Sequence, residues 1–171
     1  MESGWKILSI FREGLNQNKN NLFNLQWMGS QGSIHSKVSQ QGFSNSLNSP
    51  HALSNWFLDD IDIRALPVLP HIHKGEYEYL RYYRYNEKNK ELEIIRLWPS
   101  IYKVTQDSPL QPLWFGSISY LEIKKHLGVN YLVTKNENLD DILFDKTIVH
   151  IEKKTIIDSR DNQARTIFLI Q

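Results

Sequence analysis

The chain contains no cysteine. That absence excludes disulfides, thiolate-bound metals, iron–sulfur clusters and a cysteine nucleophile, and it leaves the compartment open. No stretch approaches the roughly 18–20 apolar residues that a membrane-spanning helix requires. The opening MESGWKILSIFREGL does not read as a signal peptide, because Lys6 interrupts what would have to be an apolar run of roughly 7–15 residues. A charge excess is also lacking: 20 Lys+Arg stand against 19 Asp+Glu, a net charge of +1. Proteins that live on nucleic-acid phosphates carry a clear basic excess, so no nucleic-acid partner is expected. The sequence has no G-x-S-x-G elbow, no Walker A loop and no G-x-G-x-x-G turn, which removes the commonest nucleophile and nucleotide signatures.

What is present suits one folded domain. A chain of 171 residues can hide roughly 70% of its unfolded surface. Its 40% hydrophobic and 23% charged residues match a folded protein rather than a disordered one. Residues 1–21 read as an N-terminal amphipathic helix, with Trp5, Leu8, Ile10, Phe11 and Leu15 as its apolar members, followed by a polar linker, NQNKNN. Residues 22–171 read as a single domain. The mixed charge of the helix (Glu2, Lys6, Arg12, Glu13) suits packing on protein better than lying on lipid.

Within the domain, Leu22 to Met28 reads as a buried strand. Ile34 and Val38 mark a short helix stopped at Gly42. Ser30 or Ser33 caps its start more readily than the Gly29–Gly32 turn cradles an anion. Ser49-Pro50 opens a second helix carrying Leu53, Trp56 and Phe57. Residues 76–85 and 91–98 alternate as two strands of an antiparallel hairpin around the polar turn 86–90. Residues 113–123 make a third strand. Asn138 caps a further helix with Asp141 three residues on. Strands at 148–157 and 164–170 close the chain around the turn 158–162. The expected fold class is α+β: a mostly antiparallel sheet with helices packed on one side.

Several segments together carry a family resemblance. They are FNLQWMGSQGSIHSKVSQQGF, LPVLPHIHKGEYEYLRYY, IIRLWPS and PLWFGSIS, in that order. Over roughly residues 22–170 they resemble the LssY C-terminal domain family of bacteria. In that family the domain often follows multi-span membrane segments, DedA-like or of the phosphatidic acid phosphatase type. The family has no established catalytic residue, so the resemblance implies none here. The expected role is a non-enzymatic accessory or binding domain acting with a membrane-embedded phosphatase or DedA-like protein; the alternative is a metal-dependent hydrolase using His71, His73 and a nearby Asp. Its expected place is the cytoplasm or the periphery of the inner membrane.

Three constellations are candidates for chemistry. Arg96, Trp98, Trp114 and Gly116 sit on neighbouring strands. Two indoles would form one wall of a pocket, and Arg96 would bind a phosphate or carboxylate, such as an anionic headgroup, bidentately. The alternative is structural: the tryptophans pack as core and Gly116 lets another backbone approach. Asp59, Asp60, Asp62, His71 and His73 crowd one short segment. An H-x-H pair on extended chain points one way and, with a carboxylate, would hold a divalent metal for hydrolysis. Solvated turns and hydrogen-bonded histidines are the competing reading, and no cofactor is expected. Tyr77, Tyr79, Tyr83 and Tyr85, with Arg81, alternate onto one strand face, which would serve a protein interface or self-association.

Overall fold

The structure, a computed structural model, describes residues 11–13, 19–47, 53–87, 90–104, 110–135, 149–157 and 164–171. Three strands come first: β1 (Phe11–Glu13), β2 (Lys19–Leu22) and β3 (Leu25–Met28). The helix α1 (Gln31–Gln40) and two 3-10 turns (Leu53–Phe57 and Ile63–Ala65) follow. Then come β4 (Ile72–His73), β5 (Glu76–Tyr77), β6 (Leu80–Asn86), β7 (Glu91–Val104), β8 (Gln111–His126), β9 (Val129–Lys135), β10 (Ile151–Ile157) and β11 (Ala164–Ile170). No helix among the described residues is long and apolar enough to cross a membrane.

A seven-stranded sheet organises the molecule in the order β10-β11-β3-β8-β7-β6, with β9 added to β8. The long strand β8 takes β7 along one edge. Its other edge is divided: β3 pairs with Leu113–Gly116 and β9 with Tyr120–His126. The pairings are antiparallel except β3 with β11, which run parallel. Two small sheets, β1-β2 and β4-β5, lie apart from the main one.

This corrects the α+β expectation. The protein is mostly β, with a mixed sheet and one α-helix among the described residues, rather than an antiparallel sheet with helices packed on one side. The expected N-terminal helix ends in a strand where it is described, because Phe11–Glu13 pairs with β2. The second expected helix is a five-residue 3-10 turn, and its Ser49-Pro50 start lies outside the described residues. The Asn138–Phe144 helix also lies outside them. Apolar residues three or four apart over one or two turns are weak evidence, since so short a helix gains little without tertiary packing. The first helix did form: Ser30 caps it by accepting from the Ser33 N–H at 3.2 Å, and Gly42 follows it at a φ of 81°.

The strand expected over 76–85 is broken. Glu76–Tyr77 turns back onto β4, and β6 begins only at Leu80. β9 was not anticipated. Its hairpin turn is Leu127-Gly128, both at positive φ (50° and 81°), the twist that two-residue hairpins need. A leucine in place of the usual Asn or Asp hid the turn.

Both faces of the sheet are covered. On the first, Ile34 and Val38 of α1 join Leu25, Trp27, Ile95, Leu97, Trp114, Phe168 and Ile170 in one core. The second carries two separate apolar clusters. Phe23, Trp98, Leu113, Phe115, Ile167 and Leu169 form one, and Ile63, Tyr83, Leu92, Ile94 and Leu121 the other. Strands buried on both sides read as unbroken apolar runs, and Ile167–Ile170 of β11 is such a run.

Gly116 sits where β8 crosses β7 so closely that a Cβ would stand 1.8 Å from the Arg96 carbonyl oxygen and 3.0 Å from Leu97 Cα. Backbone cannot yield there, so Gly116→Ala should cost about 3 kcal/mol or more. Gly32, in α1, has open space around it, and Gly32→Ala should stabilise by about 0.5–1 kcal/mol. Urea unfolding of both variants checks the pair; equal effects would contradict the close crossing.

Candidate functional site

Arg96 lies between the two apolar clusters of the second face. On β7, Ile94, Arg96 and Trp98 point the same way, since alternate residues share a face. Ile94 belongs to one cluster and Trp98 to the other, so the guanidinium is set between them. It is 1% exposed.

The segment after the second 3-10 turn roofs this position. Pro67 and Pro70 restrict its path. Arg81 Nη1 donates to the Val68 carbonyl at 3.1 Å, and the His71 N–H donates to Glu78 Oε2 at 2.6 Å. Trp98 Nε1 donates to the Glu76 carbonyl at 3.1 Å. β1 is tied to this roof in turn. Lys74 N–H donates to the Glu13 carbonyl at 3.0 Å, and Arg12 Nη1 to the Ile72 carbonyl at 3.3 Å.

The result is a buried cluster of like charges. Arg81 and Arg96 are direct cross-strand partners, a placement that is unfavourable for like charges. Arg12 adds a third guanidinium, close enough to repel both Arg96 and His71. Among the described residues one carboxylate faces them: Glu78 Oε1 lies 3.4 Å from Arg81 Nη1 and 3.8 Å from Arg96 Nε. Three guanidiniums against one carboxylate leave two positive charges unmatched. Arg96 Nε and Nη1, Arg12 Nε and Glu78 Oε1 are all buried without a hydrogen-bond partner.

Burial pulls Arg96 down to about 10, with Glu78 opposing the shift, so it stays charged at neutral pH. Burial first, then the charges of Arg96, Arg12 and Arg81, push the His71 imidazole down to about 3. His71 is therefore neutral and offsets none of the excess. The other half-buried arginine pair is built differently. Arg84 Nε donates to Glu93 Oε2 at 2.7 Å, its Nη1 donates to the Gln41 carbonyl at 2.9 Å, and its carbon stands 4.4 Å over the Phe43 ring. That is a satisfied structural pair, whereas Arg96 is a charge without a full complement. An unpaired buried charge is strongly unfavourable, so the sheet tolerates Arg96 at a cost to its own stability.

Arg81 is the member nearest solvent, with its side chain 32% exposed. Glu78 and Arg81 also line a surface cleft of about 310 Å³ together with Gln31, His35 and Tyr79.

The predicted pocket is only partly assembled. Trp98 shares the face of Arg96, but Trp114 belongs to the opposite core and donates to the Gly29 carbonyl at 2.9 Å. The two indoles therefore do not form one wall. Gly116 serves close strand packing rather than a ligand. The sequence pattern groups Arg81 with the tyrosines rather than with Arg96, and it does not single out Glu78 or Arg12 for the site. One signal was available: counting back from the 86–90 turn sets Arg81 opposite Arg96.

The metal candidates are not brought together. His73 is 5% exposed and lies in an aromatic box, with ring centres of Phe23 and Phe115 at 5.0 and 5.4 Å. Its Nδ1 accepts from the Glu13 N–H at 3.1 Å, and burial lowers its pKa. Asp59 pairs with Lys125, Asp62 caps the second 3-10 turn and pairs with Arg64, and Asp60 is exposed. Among the described residues no three His, Asp or Glu side chains converge. The tyrosines are also divided. Tyr77 and Tyr79 are exposed, while Tyr83 is buried and Tyr85 half-buried under the Arg64 guanidinium. The break before Leu80 separates the two pairs.

Comparison with known protein families, with curated proteins and with solved structures finds no match.

The neutral histidines set a pH dependence. The unfolded chain protonates His71 below about 6.5, whereas the folded protein refuses the proton until about pH 3. The folded pKa is depressed, so the stability His71 supports is fully present above about pH 6.5. It is lost as pH falls through that window. The loss should be about 1 kcal/mol per pH unit below 6.5, after a discount for partial exposure, with His73 adding in the same direction. Urea unfolding at pH 7, 6 and 5 measures the slope, and His71→Asn should flatten it. An unchanged slope in that variant would mean that His71 does not stay neutral.

Proposed function

We propose that the domain is a binding module whose Arg12–Arg81–Arg96 cluster holds a small anion beneath the residue 66–78 roof. The observation that carries this reading is Arg96. It is a fully buried guanidinium whose Nε and Nη1 have no hydrogen-bond partner; Arg81 is its cross-strand partner and Arg12 is near enough to repel it, against one carboxylate among the described residues. Guanidinium groups suit phosphate and carboxylate oxygens, which accept two parallel N–H bonds. Buried, strongly perturbed charges gather at functional sites more often than elsewhere. Of the three residues grouped with Arg96 on the sequence, Trp98 stays in the reading as an apolar neighbour, and Trp114 and Gly116 leave it.

The resemblance to the LssY C-terminal family directs the choice of ligand. It makes a phospholipid headgroup, met beside a membrane-embedded phosphatase or DedA-like partner, the first source to test. Binding needs no acid, base or nucleophile, and the cluster offers none that is poised: His71 is held neutral and Glu78 is engaged by the His71 N–H.

Thermal shift of the purified protein tests the reading. Anything that binds only the folded state stabilises by about 2.7 kcal/mol at a hundredfold excess over its dissociation constant. Millimolar phosphate and glycerol 3-phosphate should raise the melting temperature of the wild type. Arg96→Met should abolish that response. The same variant should match or exceed the wild type by about 1–2 kcal/mol without ligand, because an apolar side chain replaces a buried charge whose pairing with Glu78 is incomplete. Equal responses of wild type and variant would reduce the effect to the general stabilisation that excluded salts give, and the reading would fall.

A further inference from the structure

The charge complement of the cluster restricts which anion it takes. We propose that it selects a dianionic tetrahedral oxyanion, the terminal group of a phosphomonoester, over singly charged phosphodiesters and carboxylates. This rests on the anion-binding reading above and narrows it.

Around Arg96, whose guanidinium is shut off from water, three fixed positive charges meet one fixed negative charge among the described residues. Arg12 from β1, Arg81 from β6 and Arg96 from β7 supply three positive charges, and Glu78 supplies one negative. The other groups near the cluster do not alter the balance. The imidazole of His71 is neutral. The Tyr83 hydroxyl is kept protonated by burial. Glu13 and Lys74 act on His73, with opposite signs. A monoanion would leave one charge of the excess unmatched, whereas a dianion matches both. In a low-dielectric site each unmatched charge weighs far more than in water.

Geometry favours the same class. The unmet donors come from different strands: Nε and Nη1 of Arg96 on β7, and Nε of Arg12 on β1. A planar carboxylate presents its two oxygens in one plane to one fork. A tetrahedral group offers oxygens out of that plane to donors above and beside it. A phosphodiester has two of its four oxygens esterified, which leaves one fewer charged acceptor than a monoester.

Glu78 enters this as the regulator of charge, not as a ligand. Its Oε1 faces Arg81 and Arg96 without hydrogen-bonding either one, so it lowers the positive field while leaving donors available. Its Oε2 holds the roof through the His71 N–H. A Gln at this position retains an acceptor for that bond and removes the charge.

The experiment is a charge ladder read by calorimetric binding at pH 8. The proteins are Glu78→Gln, wild type and Arg81→Gln, with Arg96→Met as the variant lacking the central guanidinium. The probes are sulfate and glycerol 3-phosphate as dianions, and dimethyl phosphate and acetate as monoanions. The wild type should bind the dianions at least tenfold more tightly, or about 1.4 kcal/mol. That ratio should rise in Glu78→Gln and fall toward one in Arg81→Gln. Short-chain phosphatidic acid below its aggregation limit distinguishes the sources. Binding tenfold tighter than glycerol 3-phosphate supports a lipid-borne dianion, and equal binding supports a free phosphomonoester. Dimethyl phosphate binding as tightly as glycerol 3-phosphate to the wild type overturns the dianion selection and leaves the anion site intact. No binding by any probe in the wild type and Glu78→Gln overturns both.

Discussion

Everything on the second face of the sheet is arranged around one constraint, the burial of a positive charge at Arg96. β7 is paired on both edges around this position, both faces of the sheet are covered there, and alternation sends Arg96 inward between Ile94 and Trp98. A guanidinium there interrupts what would otherwise be one continuous apolar core. The two clusters on that face are its two remaining halves. The roof formed by residues 66–78 closes the space above it and brings Glu78, the one carboxylate among the described residues that faces the cluster. β1 then seals the roof and carries Arg12 inward. Each of these elements is small or irregular, and each is held by a few hydrogen bonds rather than by a large apolar contact.

The two faces therefore do different work. The first is conventional: the helix α1 and five strands, β3, β6, β7, β8 and β11, bury aliphatic and aromatic side chains, and the buried Glu93 is paired with Arg84. The stability of the domain comes from that side and from β11, whose last four residues are buried on both faces. That surplus allows the second face to keep an arginine whose charge is only partly answered. A region held by local hydrogen bonds over a charged centre is also where the lower-stability openings of a protein occur, and a ligand needs such an opening to reach Arg96.

The histidines illustrate how neighbours decide a residue's role. His71 and His73 are two apart and look like a pair of ligands on extended chain. In the fold they meet opposite environments: His71 faces arginines, and His73 faces phenylalanines and an indole. Neither imidazole is joined by Asp59 or Asp62, which are bound to Lys125 and Arg64 instead. The same holds for the tyrosines. A regular alternation over residues 76–85 suggests one aromatic face, yet Glu76–Tyr77 folds back onto β4 and the face is never formed.

Local pattern was enough for the elements whose signals are dense. The β6–β7 hairpin follows from alternation around a polar turn, α1 from Ser30, two apolar residues and Gly42, and β11 from an unbroken apolar run. Arg96 could also be picked out, since an arginine within the strand IIRLWPS needs an explanation wherever it points. The rest depended on contacts between distant segments. The parallel pairing of β3 with β11, the division of one edge of β8 between β3 and β9, and the strand at Phe11–Glu13 are made by residues far apart in the chain, and no local period reports them. The site is of that kind. Arg12, Glu78, Arg81 and Arg96 come from four segments, and whether their charges cancel depends on distances that only the packed sheet sets. Sequence determined which residues are charged and which are apolar; tertiary structure decided which charge was left unanswered, because burial and separation, not residue type, govern the strength of an ion pair.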